Sequence, residues 1–164
     1  MKQKRFNWLV DMINKHSFVT GAEIGAATGI TTTHLLDECP TLERLAIVDI
    51  WKPVDSPQWS MDNMEDIFRA KFQDDPRVDI FKGLSWEMAD DVKDGILDFI
   101  FIDADHSYEG VKKDILAWYN KLRPGGLLCG HDINLEGVRG AVDKLVPGWI
   151  DSEVDHVWYK FKAD

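Results

Sequence analysis

The chain has 164 residues, a formal net charge of −10 and 45% hydrophobic residues. That length suits one domain, residues 1–164, with a core of its own. The composition excludes wholesale disorder, and the acidic balance argues against nonspecific binding to nucleic acid or to anionic membranes. Two cysteines, Cys39 and Cys129, are too few for a disulfide scaffold or a thiolate metal cluster, so reduced thiols are expected. No apolar run reaches membrane-spanning length. Met1–Arg5 is basic but leads into an amphipathic stretch, not a signal-peptide core. The expectation is a cytoplasmic protein with no membrane partner.

Phe6, Leu9, Val10 and Ile13 recur at helical spacing and predict a first helix over Phe6–Lys15. Phe18–Ile24 reads as the first strand. It runs into a glycine turn, E-I-G-A-A-T-G, before a helix that opens at about Thr31 and is stopped by Pro40. Thr31, Thr32 and Thr33 are candidate helix caps. Gly25 and Gly29 lack a Cβ, so a ligand can approach the turn closely, and the helix start directs free N–H groups at it. The pattern Glu23-x-Gly25-x-x-x-Gly29 matches neither the dinucleotide fingerprint nor the phosphate loop. A carboxylate just before the first glycine repels a pyrophosphate but accepts hydrogen bonds from an ammonium. That suits an amino-acid-bearing nucleoside such as S-adenosylmethionine.

Arg44–Ile50 is an apolar run of the kind buried on both faces of a parallel sheet. It ends in Asp49, 20 residues after Gly29, where an acidic side chain at a strand tip can accept both ribose hydroxyls. Ile50 and Trp51 follow, the indole being a candidate cover for adenine. Lys52–Asp62, with Pro53, Pro57 and Trp59, reads as a long loop able to contact an acceptor. A helix over Met61–Phe72, a strand over Val78–Lys82, then Leu84, Ser85 and a helix over Trp86–Val92 come next, with Ser85 a candidate cap. Leu97–Asp103 is the clearest strand and runs into Asp103-Ala104-Asp105-His106. A helix over Ser107–Leu122 ends at Arg123-Pro124-Gly125-Gly126. A strand from Leu127 to Cys129 leads to Gly130-His131-Asp132, a helix covers Leu135–Leu145, and Trp149–Ile150 with His156–Phe161 can form a terminal hairpin. Five strand–helix alternations imply a parallel sheet covered on both faces. Each acidic or glycine motif follows the C-terminal end of a strand, the edge where such sheets bind ligands.

Together these residues resemble a class I S-adenosylmethionine-dependent methyltransferase. The nearest likeness is to the small-molecule branch of methyltransferase family 24, with its macrocin-type and cephalosporin-type enzymes. The resemblance rests on E-I-G-A-A-T-G, Asp49, D-A-D-H-S-Y-E-G-V-K-K-D (Asp103–Asp114) and L-R-P-G-G-L-L-C-G-H-D (Leu122–Asp132), and spans roughly residues 18 to 132. It implies a Rossmann-like α/β three-layer sandwich of strand order 3-2-1-4-5 plus a C-terminal antiparallel hairpin. It also implies methyl transfer to a hydroxyl, less readily an amine, of a small molecule. Glu23, Gly25, Ala26 and Asp103 would then face the methionine end of the cofactor and Asp49 its ribose. Ile50, Trp51, Leu84 and Ser85 would enclose the adenine.

The chain is more distantly similar to the catechol and caffeoyl-CoA O-methyltransferases, in which an aspartate and an Asp-Asn pair hold a divalent metal. Asp103 and Asp132 fall on two of those positions and Ile133 on the third, which leaves Asn134, Asp105 or His131 to complete a Mg²⁺ site. His106 falls where those enzymes place a lysine base, and an imidazole suits removal of a hydroxyl proton. Two rivals remain at this stage. One is a catalytically inactive, cofactor-binding subunit of the same fold; the other is a nicotinamide-dependent oxidoreductase. A surface carrying some of the seven tryptophans would leave room for a homodimer.

Overall fold

The computed structural model describes residues 3–52 and 63–163. Most of the predicted acceptor loop, including Pro53, Pro57 and Trp59, and the predicted helix start at Met61 lie outside them. The chain opens with α1 (Arg5–His16), β1 (Thr20–Ile24), α2 (Ile30–Glu38) and β2 (Arg44–Asp49). It continues with α3 (Met64–Phe72), β3 (Val78–Lys82), a one-turn α4 (Ser85–Met88) and β4 (Leu97–Ile102). The last part holds α5 (Tyr108–Trp118), β5 (Leu122–Gly130), α6 (Glu136–Leu145), β6 (Ile150–Asp151) and β7 (Trp158–Phe161). The sheet order is β3-β2-β1-β4-β5-β7-β6. The first five strands are parallel, and the hairpin pairs antiparallel with β5 and with itself. This is the Rossmann-like architecture expected from the alternation of strands and helices.

Strand side chains alternate between faces, so the apolar runs build two cores. Leu45, Ile47, Phe99, Phe101 and Leu127 pack with α1, α2 and α3. Ala22, Ile24, Val48, Ile100, Ile102 and Leu128 pack with α5 and α6. All six residues of β4 are buried, as a strand between two helix layers must be. Cys39 and Cys129 are buried and free. Among the described residues no helix is long and apolar enough to cross a membrane.

Three local expectations are corrected. The threonines do not cap α2. Gly29, in the left-handed region at φ 80°, occupies the cap position, and Thr33 Oγ1 donates back to the Gly29 carbonyl at 2.8 Å. Ser85 does not cap its helix either; Leu84 holds that position without a side-chain cap bond. Arg123-Pro124-Gly125-Gly126 does not separate helix from strand but belongs to β5, whose register against β4 shifts between Leu97 and Phe99.

Asp98, 8% exposed, sits at that shift. Its Oδ2 accepts the N–H of Val19 at 2.7 Å and of Thr20 at 2.8 Å, while Oδ1 accepts Arg123 Nε at 2.5 Å. Burial works against the charge, but these bonds outweigh it and hold the carboxyl below its ordinary value. A depressed folded pKa gives stability that is present above the unfolded pKa and lost as pH falls through the folded value. Asp98→Ala is therefore expected to cost about 3 kcal/mol at pH 7, since two amides and a guanidinium lose their acceptor. Thermal melts at pH 7 and in acid check this: the deficit should shrink in acid, and equal melts at pH 7 would refute it.

Of the tryptophans, Trp8, Trp51, Trp118 and Trp158 are buried. Trp86 and Trp149 are half-buried beneath Lys113 and Arg139. The described residues thus offer no exposed tryptophan of the kind that would suit a dimer.

Candidate active site

The parallel strands end in a row that backbone hydrogen bonds carry past the sheet. Gly83 N donates to Asp49 O (3.0 Å), Gly25 N to Val48 O (2.8 Å), Asp103 N to Ile24 O (2.7 Å) and His131 N to Ile102 O (3.0 Å). The tips of β3, β2, β1, β4 and β5 are fixed to one another before any side chain acts. Gly25 is obligatory here: its φ is 91°, and a Cβ would stand 2.3 Å from the Asp103 carbonyl oxygen.

At the β2 tip, Asp49 organises the glycine turn. Its Oδ2 accepts the N–H of Ala26 (2.9 Å) and Ala27 (2.8 Å), and its Oδ1 accepts the N–H of Trp51 (2.7 Å). A carboxylate has about four acceptor sites, and with three filled by these amides about one remains for a ligand hydroxyl. Trp51 does not stand over the open edge. It is 6% exposed, packs on Phe68 at 5.3 Å and donates its indole N–H to the Ala27 carbonyl at 2.8 Å. The expected adenine cover is instead a core side chain that braces the turn. Ile50 and Leu84 are half-buried at neighbouring tips. The Ser85 hydroxyl is turned inward, donating to Asp114 of α5. Asp114 is 1% exposed, and burial pushes its carboxyl up to about 7.

At the β1 tip, Glu23 is 2% exposed. The Thr32 hydroxyl donates to its Oε2 at 2.6 Å. Burial is the largest influence on its carboxyl and pushes it up to about 8. Thr32 and Arg5 pull it down, while Asp103 and Asp49 push it further up.

The tips of β4 and β5 bring acids and imidazoles together. His131 Nδ1 lies 3.5 Å from Asp103 Oδ1 and 3.1 Å from Asp132 Oδ1. His106 Nε2 lies 3.7 Å from Asp103 Oδ1 and 3.1 Å from Asp132 Oδ2. Burial opposes a charge on His131, but contact with both aspartates outweighs it and raises the imidazole to about 9. Contact with Asp103 raises His106 as well. Asp103 falls below the ordinary carboxylate range despite burial, and Asp132 falls chiefly through its contact with His131. One ligand atom each from Asp103, His131 and Asp132 lies within 4.8 Å of the others, a donor set able to hold a divalent cation. Of the residues considered for the third ligand, His131 is the one in place. Asp105 instead accepts the N–H and hydroxyl of Ser107 ahead of α5, Ile133 is buried, and Asn134 is exposed.

Residues 22–133 match the family described as a methyltransferase domain. The chain belongs to that methyltransferase family. It is a class I S-adenosylmethionine-dependent methyltransferase. No curated protein matches it. Among solved structures, it is similar to a candidate caffeoyl-CoA O-methyltransferase from Staphylococcus aureus, at 18% identity over 96% of this chain and 82% of that one, TM-score 0.73. An O-methyltransferase from Bacillus cereus, solved with S-adenosylhomocysteine, gives 18% identity, 98% and 80% coverage and a TM-score of 0.70. The O-methyltransferase TomG from Streptomyces achromogenes, involved in tomaymycin synthesis and solved with S-adenosylmethionine, gives 14% identity, 98% and 80% coverage and a TM-score of 0.71. At such identities the likeness is one of fold.

The methyltransferase also carries site residues that motif reasoning passed over. Thr32 is a candidate cap by sequence, or a hydroxyl for a ligand carboxylate, yet its position in the first turn of α2 puts it against Glu23. Arg5 lies outside every motif, yet its Nε is 3.1 Å from Asp103 Oδ2. No signal in the local sequence points to that long-range pair.

Proposed function

We propose that this methyltransferase transfers the sulfonium methyl of S-adenosylmethionine to a hydroxyl of a small molecule, assisted by a divalent cation such as Mg²⁺. The observation that carries the reading is the convergence of Asp103, His131 and Asp132 beside the glycine turn, at the edge where parallel sheets bind ligands. The donor set fits a cation: two carboxylates and an imidazole already face one point. Such a cation lowers the pKa of a bound hydroxyl, a help that an amine acceptor does not need.

The chain's own residues have distinct tasks in this reading. Glu23 and Asp103 receive the cofactor's ammonium, and Gly25 and Ala26 keep the backbone close to it. Asp49 takes the ribose, with Ile50 and Leu84 against the adenine. The indole of Trp51 and the hydroxyl of Ser85 support that pocket from behind, through Ala27 and Asp114. His106, its side chain 44% exposed, stands at the mouth and accepts the acceptor's proton. Holding donor and acceptor in line supplies much of the rate.

The test is transfer of labelled methyl from S-adenosylmethionine to matched hydroxyl and amine acceptors, with Mg²⁺ and after chelation. Label is expected in hydroxyl acceptors, with chelation costing about 100-fold and Mg²⁺ restoring the rate. Transfer indifferent to chelation would remove the cation. Bound cofactor with no transfer to any acceptor would favour the inactive subunit.

A further inference from the structure

The amino-acid end of S-adenosylmethionine is a zwitterion. The acids at the β1 and β4 tips suit its ammonium but oppose its carboxylate. Glu23, Asp49, Asp103 and Asp132 all stand at this edge, and a second anion among them needs a cation of its own. Among the described residues, Arg5 is the one lysine or arginine within salt-bridge distance of any of these four. Its charge is felt at Glu23 as well as at Asp103.

Arg5 is also held in a way that suits exchange of partners. Its Nε is 3.1 Å from Asp103 Oδ2, yet that nitrogen is buried and makes no aligned hydrogen bond among the described residues. The Nε–H is paired in charge there without an aligned acceptor, so a planar fork that matches a carboxylate two bonds at a time is left underused. The backbone of Arg5 is fixed more firmly. Its N–H donates to Asp155 Oδ2 at 3.0 Å, and Asp155 lies in the β6–β7 turn, where the neighbouring His156 carbonyl accepts Ile133 N at 3.1 Å. The start of α1 is thereby anchored beside the Asp132 loop.

We infer that Arg5 is the residue that binds the carboxylate of the cofactor's methionine moiety, exchanging its resting contact with Asp103 for that carboxylate when the cofactor enters. The exchange frees one Asp103 oxygen for the ammonium. It also makes the site selective for the intact amino-acid end over cofactor analogues that lack the carboxylate. The inference rests on the methyltransferase reading of the site.

Calorimetric binding of S-adenosylmethionine and of its decarboxylated analogue, to the wild type and to Arg5→Gln and Arg5→Lys, tests it. Wild type is expected to prefer the intact cofactor by about 30-fold. Arg5→Gln should lose most of that preference by weakening for the intact cofactor alone, its affinity for the analogue staying within threefold of wild type. Arg5→Lys, a point charge without the fork, should keep part of the preference and guards against a fold defect in the glutamine variant. Equal weakening of both ligands in both variants, or unchanged affinity for the intact cofactor, would overturn the assignment. A wild type that binds neither compound overturns the methyltransferase reading and this assignment with it.

Discussion

Glu23→Gln is expected to raise the melting temperature at pH 8 while weakening cofactor binding about 100-fold. The two effects share one cause. Glu23 is buried, and burial holds its carboxyl at about 8 against an ordinary 4.5. A folded pKa above the unfolded one means that the folded protein keeps a proton the unfolded chain gives up. Stability from this group is complete below the unfolded value and is lost as pH climbs through about 8. Glutamine carries no proton to lose. The variant should therefore gain about 2 kcal/mol at pH 8, roughly 4–8 °C for a chain of this size, and almost nothing near pH 4. Its cost falls on the ligand: an amide cannot become the anion that a buried ammonium requires. In the wild type, an arriving ammonium expels the Glu23 proton, so affinity should rise with pH by up to about tenfold per unit until pH 8. Calorimetry in buffers of different ionisation enthalpy reads that proton directly. A variant that melts lower at pH 8 yet binds the cofactor normally would refute the account.

Asp103→Ala should be the most damaging single change for turnover, lowering kcat by about 1000-fold or more and metal affinity by at least about tenfold. The side chain is 14% exposed and faces three positive or protonatable groups: Arg5, His106 and His131. Without it, Arg5 loses its counter-ion, His131 keeps only Asp132, and its pKa should fall from about 9. The fold should lose about 3 kcal/mol, as when one partner of a buried pair is removed. Steady-state kinetics, a metal titration and a thermal melt separate these losses. Turnover within tenfold of wild type would place the reacting centre elsewhere.

What the sequence revealed divides along a physical line. The strands β2 and β4 were readable because both of their faces are buried, and mostly apolar runs satisfy that burial; β1 was readable from the glycine turn that follows it. The acids at their tips were readable because a carboxylate directly after such a run has few structural reasons to be there. Thr32, Asp98 and Arg5 were not readable. Thr32 looks like one of three equivalent caps until the helix phase is known, and α2 begins at Ile30 on the conformation of Gly29. Asp98 looks like an ordinary polar interruption in a strand until the register shift of β5 places Arg123 beside it. Arg5 reaches the site through the packing of α1, a contact spanning almost a hundred residues. The packing of Trp51 on Phe68 was hidden for a related reason. A residue of that bulk is not expected at φ 43°, and it is this backbone turn that sends the indole inward.

The bonded row of strand tips has a consequence for how this enzyme can change. Neighbouring strands in a sheet stand about 4.8 Å apart, so on the proposed reading the step from the glycine turn that would hold the donor to the group that would receive the acceptor is counted in whole strand widths. No side-chain replacement alters that spacing without tearing the ladder. New acceptors must therefore be accommodated by reshaping the segments that overhang the edge, while the distance over which the methyl travels stays ruled by the backbone.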